Sequence, residues 1–141
     1  MSRKLARELT FKVVFSTSFQ NEDESVTKLI DNLVNDKNLK EEVTADDKKY
    51  IESVSFGVLK STEELDKQIE KYLKGWTMER IGKTDLAILR LAIYEIFYRD
   101  DIPYKVSINE AVELAKQFCD EASPSFINGV LAGVVNGLSK E

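Results

Sequence analysis

Hydrophobic positions recur along this chain at helical rather than strand spacing. Leu5, Leu9 and Val13 stand at i, i+4 and i+8. Val26, Leu29, Ile30, Leu33 and Val34 make a second stripe. Tyr50, Ile51, Val54, Val58 and Leu59 make a third, and Leu65, Ile69, Tyr72 and Leu73 a fourth. Residues 85–99 differ, because Leu86, Ala87, Ile88, Leu89, Leu91, Ala92, Ile93, Ile96 and Phe97 leave no wide polar face. A helix apolar all round belongs at the centre of a domain or in a membrane. A membrane span needs about 20 apolar residues. This run is shorter and contains Arg90 and Glu95, so the pattern predicts the central helix of an all-α protein. Two further stripes follow, one with Ile108, Ala111, Val112, Ala115 and Cys119, the other with Ile127, Val130, Leu131, Val134, Val135 and Leu138. The expected fold is all-α, with about seven helices in two packed bundles. The bundles are expected before and after Gly75, within one compact domain spanning residues 1–141.

Turn and cap residues set the expected boundaries. The first helix is predicted from Arg3 to Phe19, followed by a turn at Asn21–Ser25. Thr44 is a predicted cap, as is Thr84. Ser61 with Glu64, and Ser107 with Glu110, have capping-box spacing. Gly75 is expected to stop the fourth helix. Trp76 opens a short connecting element and serves either as a core plug or as a binding platform; large aromatics usually pack. Asp100-Asp101-Ile102-Pro103 breaks the central helix, since proline cannot continue one. Ser123-Pro124 reads as a cap followed by proline in the first turn. Gly129 and Gly133, four apart, are suited to close helix packing.

Composition narrows the chemistry. With 141 residues, 43% hydrophobic and 32% charged, the chain is long enough for a real core and is globular rather than disordered. A net charge of -5 argues, on its own, against a nucleic-acid binder, because phosphate contacts need lysine and arginine. The charge is uneven, however: in residues 1–19, Arg3, Lys4, Arg7 and Lys12 face only Glu8. That basic helix start is either a solvated end or an electrostatic footprint for phosphate. There is no histidine and Cys119 is the sole cysteine, which excludes ordinary zinc sites, a His-based triad and an intrachain disulfide. Asp46-Asp47 and Asp100-Asp101 are chain neighbours that do not face each other. No glycine-rich phosphate loop occurs. Binding rather than catalysis is expected, with no cofactor and no metal. MSRKLARELTF lacks an apolar core of signal-peptide length, so a cytoplasmic protein is expected, with no membrane association.

Three features bear on what is bound. Arg90 is either paired, with Glu95, Glu110 or Glu113 as candidates, or reaches the surface to hold an anion; buried charges are generally paired. Cys119 lies on an apolar stripe, as buried thiols do. Phe118 and Phe126 flank the turn between the last two helices. They are either core or, if exposed, stacking platforms for unpaired bases near Lys116, Asn128 and Arg7.

ILRLAIYEI at 88–96, DIPYKVSINEAVELAKQF at 101–118 and FINGVL at 126–131 closely resemble the NusB family of transcription antitermination factors. RKLARE at 3–8 is a weaker match in the same order. The resemblance implies a compact fold of two helical bundles. It also implies binding to the boxA element of nascent RNA together with the ribosomal protein NusE, in ribosomal RNA operons, with other Nus factors and RNA polymerase as indirect partners. By motif position, Arg3, Lys4 and Arg7 correspond to the basic RNA-contact segment, and Tyr72, Arg90, Phe118, Phe126 and Asn128 fall on or near the RNA face. The NusE surface is expected around Tyr94, Glu95, Asp100, Asp101 and Pro103. Leu5, Leu86 and Ala132 depart from the family pattern; the first two imply weak RNA binding by this chain alone, with NusE supplying much of the affinity. Two other functions fit the residues: a protein-interaction module without a direct RNA role, with a homodimer as one form of it, or an accessory domain of an RNA-modifying enzyme.

Overall fold

The computed structural model describes residues 3–17, 23–75 and 77–139. Seven α-helices carry them: α1 (Arg3–Thr17), α2 (Asp23–Val34), α3 (Ala45–Lys60), α4 (Thr62–Lys71), α5 (Lys83–Tyr98), α6 (Tyr104–Phe118) and α7 (Ser123–Ser139). A 3-10 turn at Met78–Arg80 precedes α5. No strand occurs among the described residues. Trp76, read as a core plug, lies outside the described residues, as do residues 18–22, where the first helix was expected to end.

The chain forms two compact units, Met1–Lys60 and Ser61–Glu141. The division falls before α4 rather than at Gly75, because α4 packs on α5 and α7. Leu65 and Ile69 are the buried residues that anchor it.

In the first unit α1 packs on α2 and α3. Leu9 and Val13 are buried as their spacing predicts, and Ala6, Phe11 and Val14 join them. Two buried hydroxyls on α1 are satisfied within the helix. Thr10 Oγ1 donates to the Ala6 carbonyl at 2.8 Å, and Thr17 Oγ1 to the Val13 carbonyl at 2.7 Å. Thr44 caps α3 as expected: the Asp47 N–H donates to Thr44 Oγ1 at 3.1 Å. In return the Thr44 N–H donates to Asp47 Oδ2 at 3.2 Å, a capping box closed by aspartate.

The second unit is built around α5, which touches α4, α6 and α7. Ala87, Ile88, Leu89, Leu91, Ala92, Ile93 and Ile96 are buried, in keeping with the all-round apolar run. Several local expectations fail here. The α6 helix begins just after Pro103, whose extended backbone places it at the N-cap. Ser107 therefore lies inside the helix, and its hydroxyl donates to Glu95 Oε1 at 2.8 Å rather than joining a capping box. Gly82, not Thr84, is the N-cap of α5. Ser61 occupies the N-cap of α4 with φ -109° and ψ 12° and makes no side-chain cap bond. Gly75 does not end α4, which stops at Lys71; it turns the chain farther on with φ +76°. That φ favours glycine, which has no Cβ to clash.

Gly133 and Gly137 accept the ring of Tyr72. A Cβ at Gly133 would lie 2.7 Å from Tyr72 Cδ1, and one at Gly137 would collide with the Tyr72 hydroxyl. Gly129, expected to share in close packing, faces open space.

Candidate functional site

All of the expected RNA contacts except Arg3 have described side chains. On α1, Lys4 is exposed. Arg7 is not outside as expected but only 5% exposed, with its guanidinium 5.9 Å from the centre of the Tyr50 ring. Desolvated cations gain from the negative face of an aromatic ring, so this contact ties α1 to α3. Lys12 is engaged with Glu8 at 3.4 Å, one turn back. The side chain of Arg3, which heads α1, lies outside the described residues.

Arg90 is paired, though with none of the three carboxylates expected. Its Nε and Nη2 donate to the two carboxylate oxygens of Asp66, each at 2.8 Å. This fork matches the planar carboxylate and joins α5 to α4. The partner was hard to read because 24 residues separate the pair in sequence. Glu95, expected at a partner surface, is instead 1% exposed and receives the Ser107 hydroxyl. It fixes α6 against α5.

The two phenylalanines do come together. Phe118, at the end of α6, and Phe126, at the close of the first turn of α7, line one pocket of about 760 Å³. Arg80 from the 3-10 turn, Asp85 from the first turn of α5, and Cys119 and Ser123 from the α6–α7 corner complete its chemistry. Ser123 fixes the floor by donating to Asp85 Oδ1 and Oδ2 at 2.9 and 3.0 Å. This bond holds the start of α7 to the start of α5 and explains why Ser123 is buried. Cys119 is half-buried rather than fully enclosed. Burial, followed by the hydrogen bond and charge of Asp85, pushes its thiol up to about 12. Such a thiol stays protonated near neutral pH and is a poor nucleophile.

Lys116 and Asn128 are exposed but do not line this pocket. Lys116 lies 3.2 Å from Glu113 on its own helix. Tyr72 is half-buried on its glycine seat. Arg80 and Asp85 were missed as site residues because neither belongs to a periodic stripe. The seat of Tyr72 had a signal, the four-residue spacing of Gly133 and Gly137.

A second surface surrounds the α5–α6 turn. Tyr98, Tyr104 and Val106 are exposed at 50%, 44% and 39%. The rings of Tyr94 and Tyr98 lie 4.8 Å apart, and the Tyr98 hydroxyl donates to Glu64 Oε2 at 2.9 Å. That bond is the main reason the phenol pKa is raised. Asp100, Asp101 and Pro103 are exposed in the same turn. Arg99 holds Asp101 by two bonds of 2.9 Å, which fixes the turn. Aromatic side chains on a surface give large contact area at low entropic cost, as protein interfaces require. Among the described residues no helix is long and apolar enough to cross a membrane. No group of three or more acidic or cysteine side chains among them is placed to hold a metal ion.

Comparison with known proteins agrees with the motifs. Residues 4–136 match the model of the NusB family. The transcription antitermination protein NusB of Acetivibrio thermocellus is 49% identical over 135 residues, covering 96% of this chain and 89% of that protein. A crystal form of T. maritima NusB superposes with a TM-score of 0.82 at 29% identity, covering 96% of this chain and 92% of that one. A chain from the crystal structure of antitermination factors NusB and NusE in complex with dsRNA gives 0.80 at 27% identity, covering 96% of each chain. With the family match spanning nearly all its length, and its relatives transcription antitermination proteins rather than enzymes, the chain belongs to the NusB family.

Proposed function

We propose that this protein is a cytoplasmic transcription antitermination factor. It binds boxA-type single-stranded RNA together with NusE and supports transcription of ribosomal RNA. The observation that carries this reading is its likeness, over nearly the whole chain, to a chain of the NusB–NusE–dsRNA complex. The pocket adds a chemical reason. Two aromatic side chains beside a cation suit an unpaired nucleotide, whose base stacks while its phosphate meets positive charge.

In this proposal Phe118 and Phe126 engage bases, with Tyr72, Lys116 and Asn128 as further contacts from the second unit. Lys4, with Arg3, supplies a separate basic contact from α1. Arg7 and Arg90 act through Tyr50 and Asp66, holding the helices that carry the contacts. NusE docks on Tyr94, Asp100, Asp101 and Pro103, where the exposed tyrosines give the apolar area such a contact needs. Other Nus factors and RNA polymerase are reached through this assembly.

The test is fluorescence anisotropy of a labelled boxA-like RNA titrated with the protein, with and without NusE. Scrambled and duplex RNAs serve as controls. Selective binding strengthened by NusE and weakened by salt is expected. Equal affinity for boxA-like and scrambled RNA in the presence of NusE contradicts the reading.

A further inference from the structure

We infer that Arg80 is an RNA-phosphate contact at the mouth of the aromatic pocket. The inference rests on the proposed RNA-binding role and extends it to a residue outside the motifs that carry the family resemblance. Four arginines have described side chains. Arg7 is buried over Tyr50, Arg90 is committed to Asp66, and Arg99 to Asp101. Among the described residues Arg80 alone has a guanidinium with neither hydrogen bond nor ion pair, and it is exposed. It also lines the pocket that holds Phe118 and Phe126.

A free guanidinium beside two aromatic rings suits a nucleotide better than an isolated anion. Its planar fork binds phosphate oxygens in pairs, a geometry lysine lacks. Asp85 and Asp120 line the same pocket and disfavour a bare phosphate there. They do not disfavour a nucleotide, whose base presents amino donors to a carboxylate while its phosphate stays with the cation. The short turn Met78–Arg80 sets this placement, since the Arg80 N–H donates to the Thr77 carbonyl at 3.0 Å. The local backbone is thereby closed and the side chain is left to project.

The test compares unaltered protein, Arg80→Ala, Arg80→Lys and Lys67→Ala, each with NusE present, in anisotropy titrations of a boxA-like single-stranded RNA over a range of salt. Lys67 is an exposed cation on α4 that does not line the pocket. Arg80→Ala should bind roughly tenfold more weakly, the scale of losing a charged hydrogen bond. It should also flatten the slope of log affinity against log salt by about 0.7, the contribution of one phosphate on a single strand. Arg80→Lys should keep the slope and lose part of the affinity. Lys67→Ala should match the unaltered protein. If Arg80→Ala keeps affinity and slope while the unaltered protein binds selectively, the Arg80 assignment falls and the RNA-binding role stands. A loss equal to that of Lys67→Ala reduces the effect to net charge and also overturns it. If Arg80→Ala weakens NusE binding instead, the guanidinium serves a protein carboxylate and the assignment again falls. Absence of RNA binding by the unaltered protein removes both readings.

Discussion

Single side chains in this protein are fixed by partners far away in sequence. Arg90 and Asp66 are each largely shielded, with side-chain exposures of 14% and 28%. Removing the carboxylate leaves a guanidinium in poor contact with water. Asp66→Ala should cost about 1–3 kcal/mol in urea unfolding. Adding Arg90→Ala should then cost less than its own single effect, because the two changes remove one interaction. Cys119 offers a check that does not depend on stability. Because burial and Asp85 push the folded thiol up to about 12, its alkylation should stay slow through pH 9 and rise only above it. The unfolded chain should react with an ordinary thiol profile, about 8.5. Asp85→Asn keeps an acceptor for Ser123 but removes the charge, so it should bring the folded reaction to lower pH. An unchanged profile would show that burial alone holds the thiol protonated.

At the scale of elements, the apolar stripes were legible and the joints were not. The all-round hydrophobicity of residues 85–99 correctly marked α5 as the centre of its unit, because nothing but burial accommodates such a surface. Stripes in the other helices placed Leu9, Val13, Ile51, Val54, Leu65, Ile69, Ile127 and Leu131 inside. Caps fared worse. Thr44 was right because the aspartate three residues later lies within reach of its N–H. Ser107 had the same spacing to a carboxylate, but Pro103 starts α6 earlier and turns that hydroxyl to Glu95. A local motif loses when a buried carboxylate nearby needs a donor. The glycine spacing on α7 was visible, yet the pair that matters is Gly133 with Gly137, and what fills it is a side chain from the end of α4. Gly133→Ala would drive its methyl against the Tyr72 ring and should cost about 1–3 kcal/mol in thermal or urea unfolding. Tyr72→Ala should remove most of that penalty in the double variant. If the two effects simply add, the ring is not seated there.

For the molecule as a whole, net charge was a weak guide. At -5 the chain does not have the overall balance of a nucleic-acid binder, and the candidate contacts lie in local groups that the total conceals. Two arginines expected to meet RNA, Arg7 and Arg90, are turned to Tyr50 and Asp66, while Arg80 stands free among the described residues. Family motifs identified the class of protein because they record the C-terminal helices, where α5, α6 and α7 bring Phe118 and Phe126 together. They did not carry the long-range pairs, which depend on side-chain direction after folding. The central claim is functional, and transcription tests it most directly. RNA polymerase should be run in vitro past a terminator downstream of boxA, with NusE and the other Nus factors present, and readthrough measured with and without this protein. The protein should raise readthrough on the boxA template and lose that effect when boxA is scrambled. Equal readthrough with and without it on the boxA template would contradict an antitermination role.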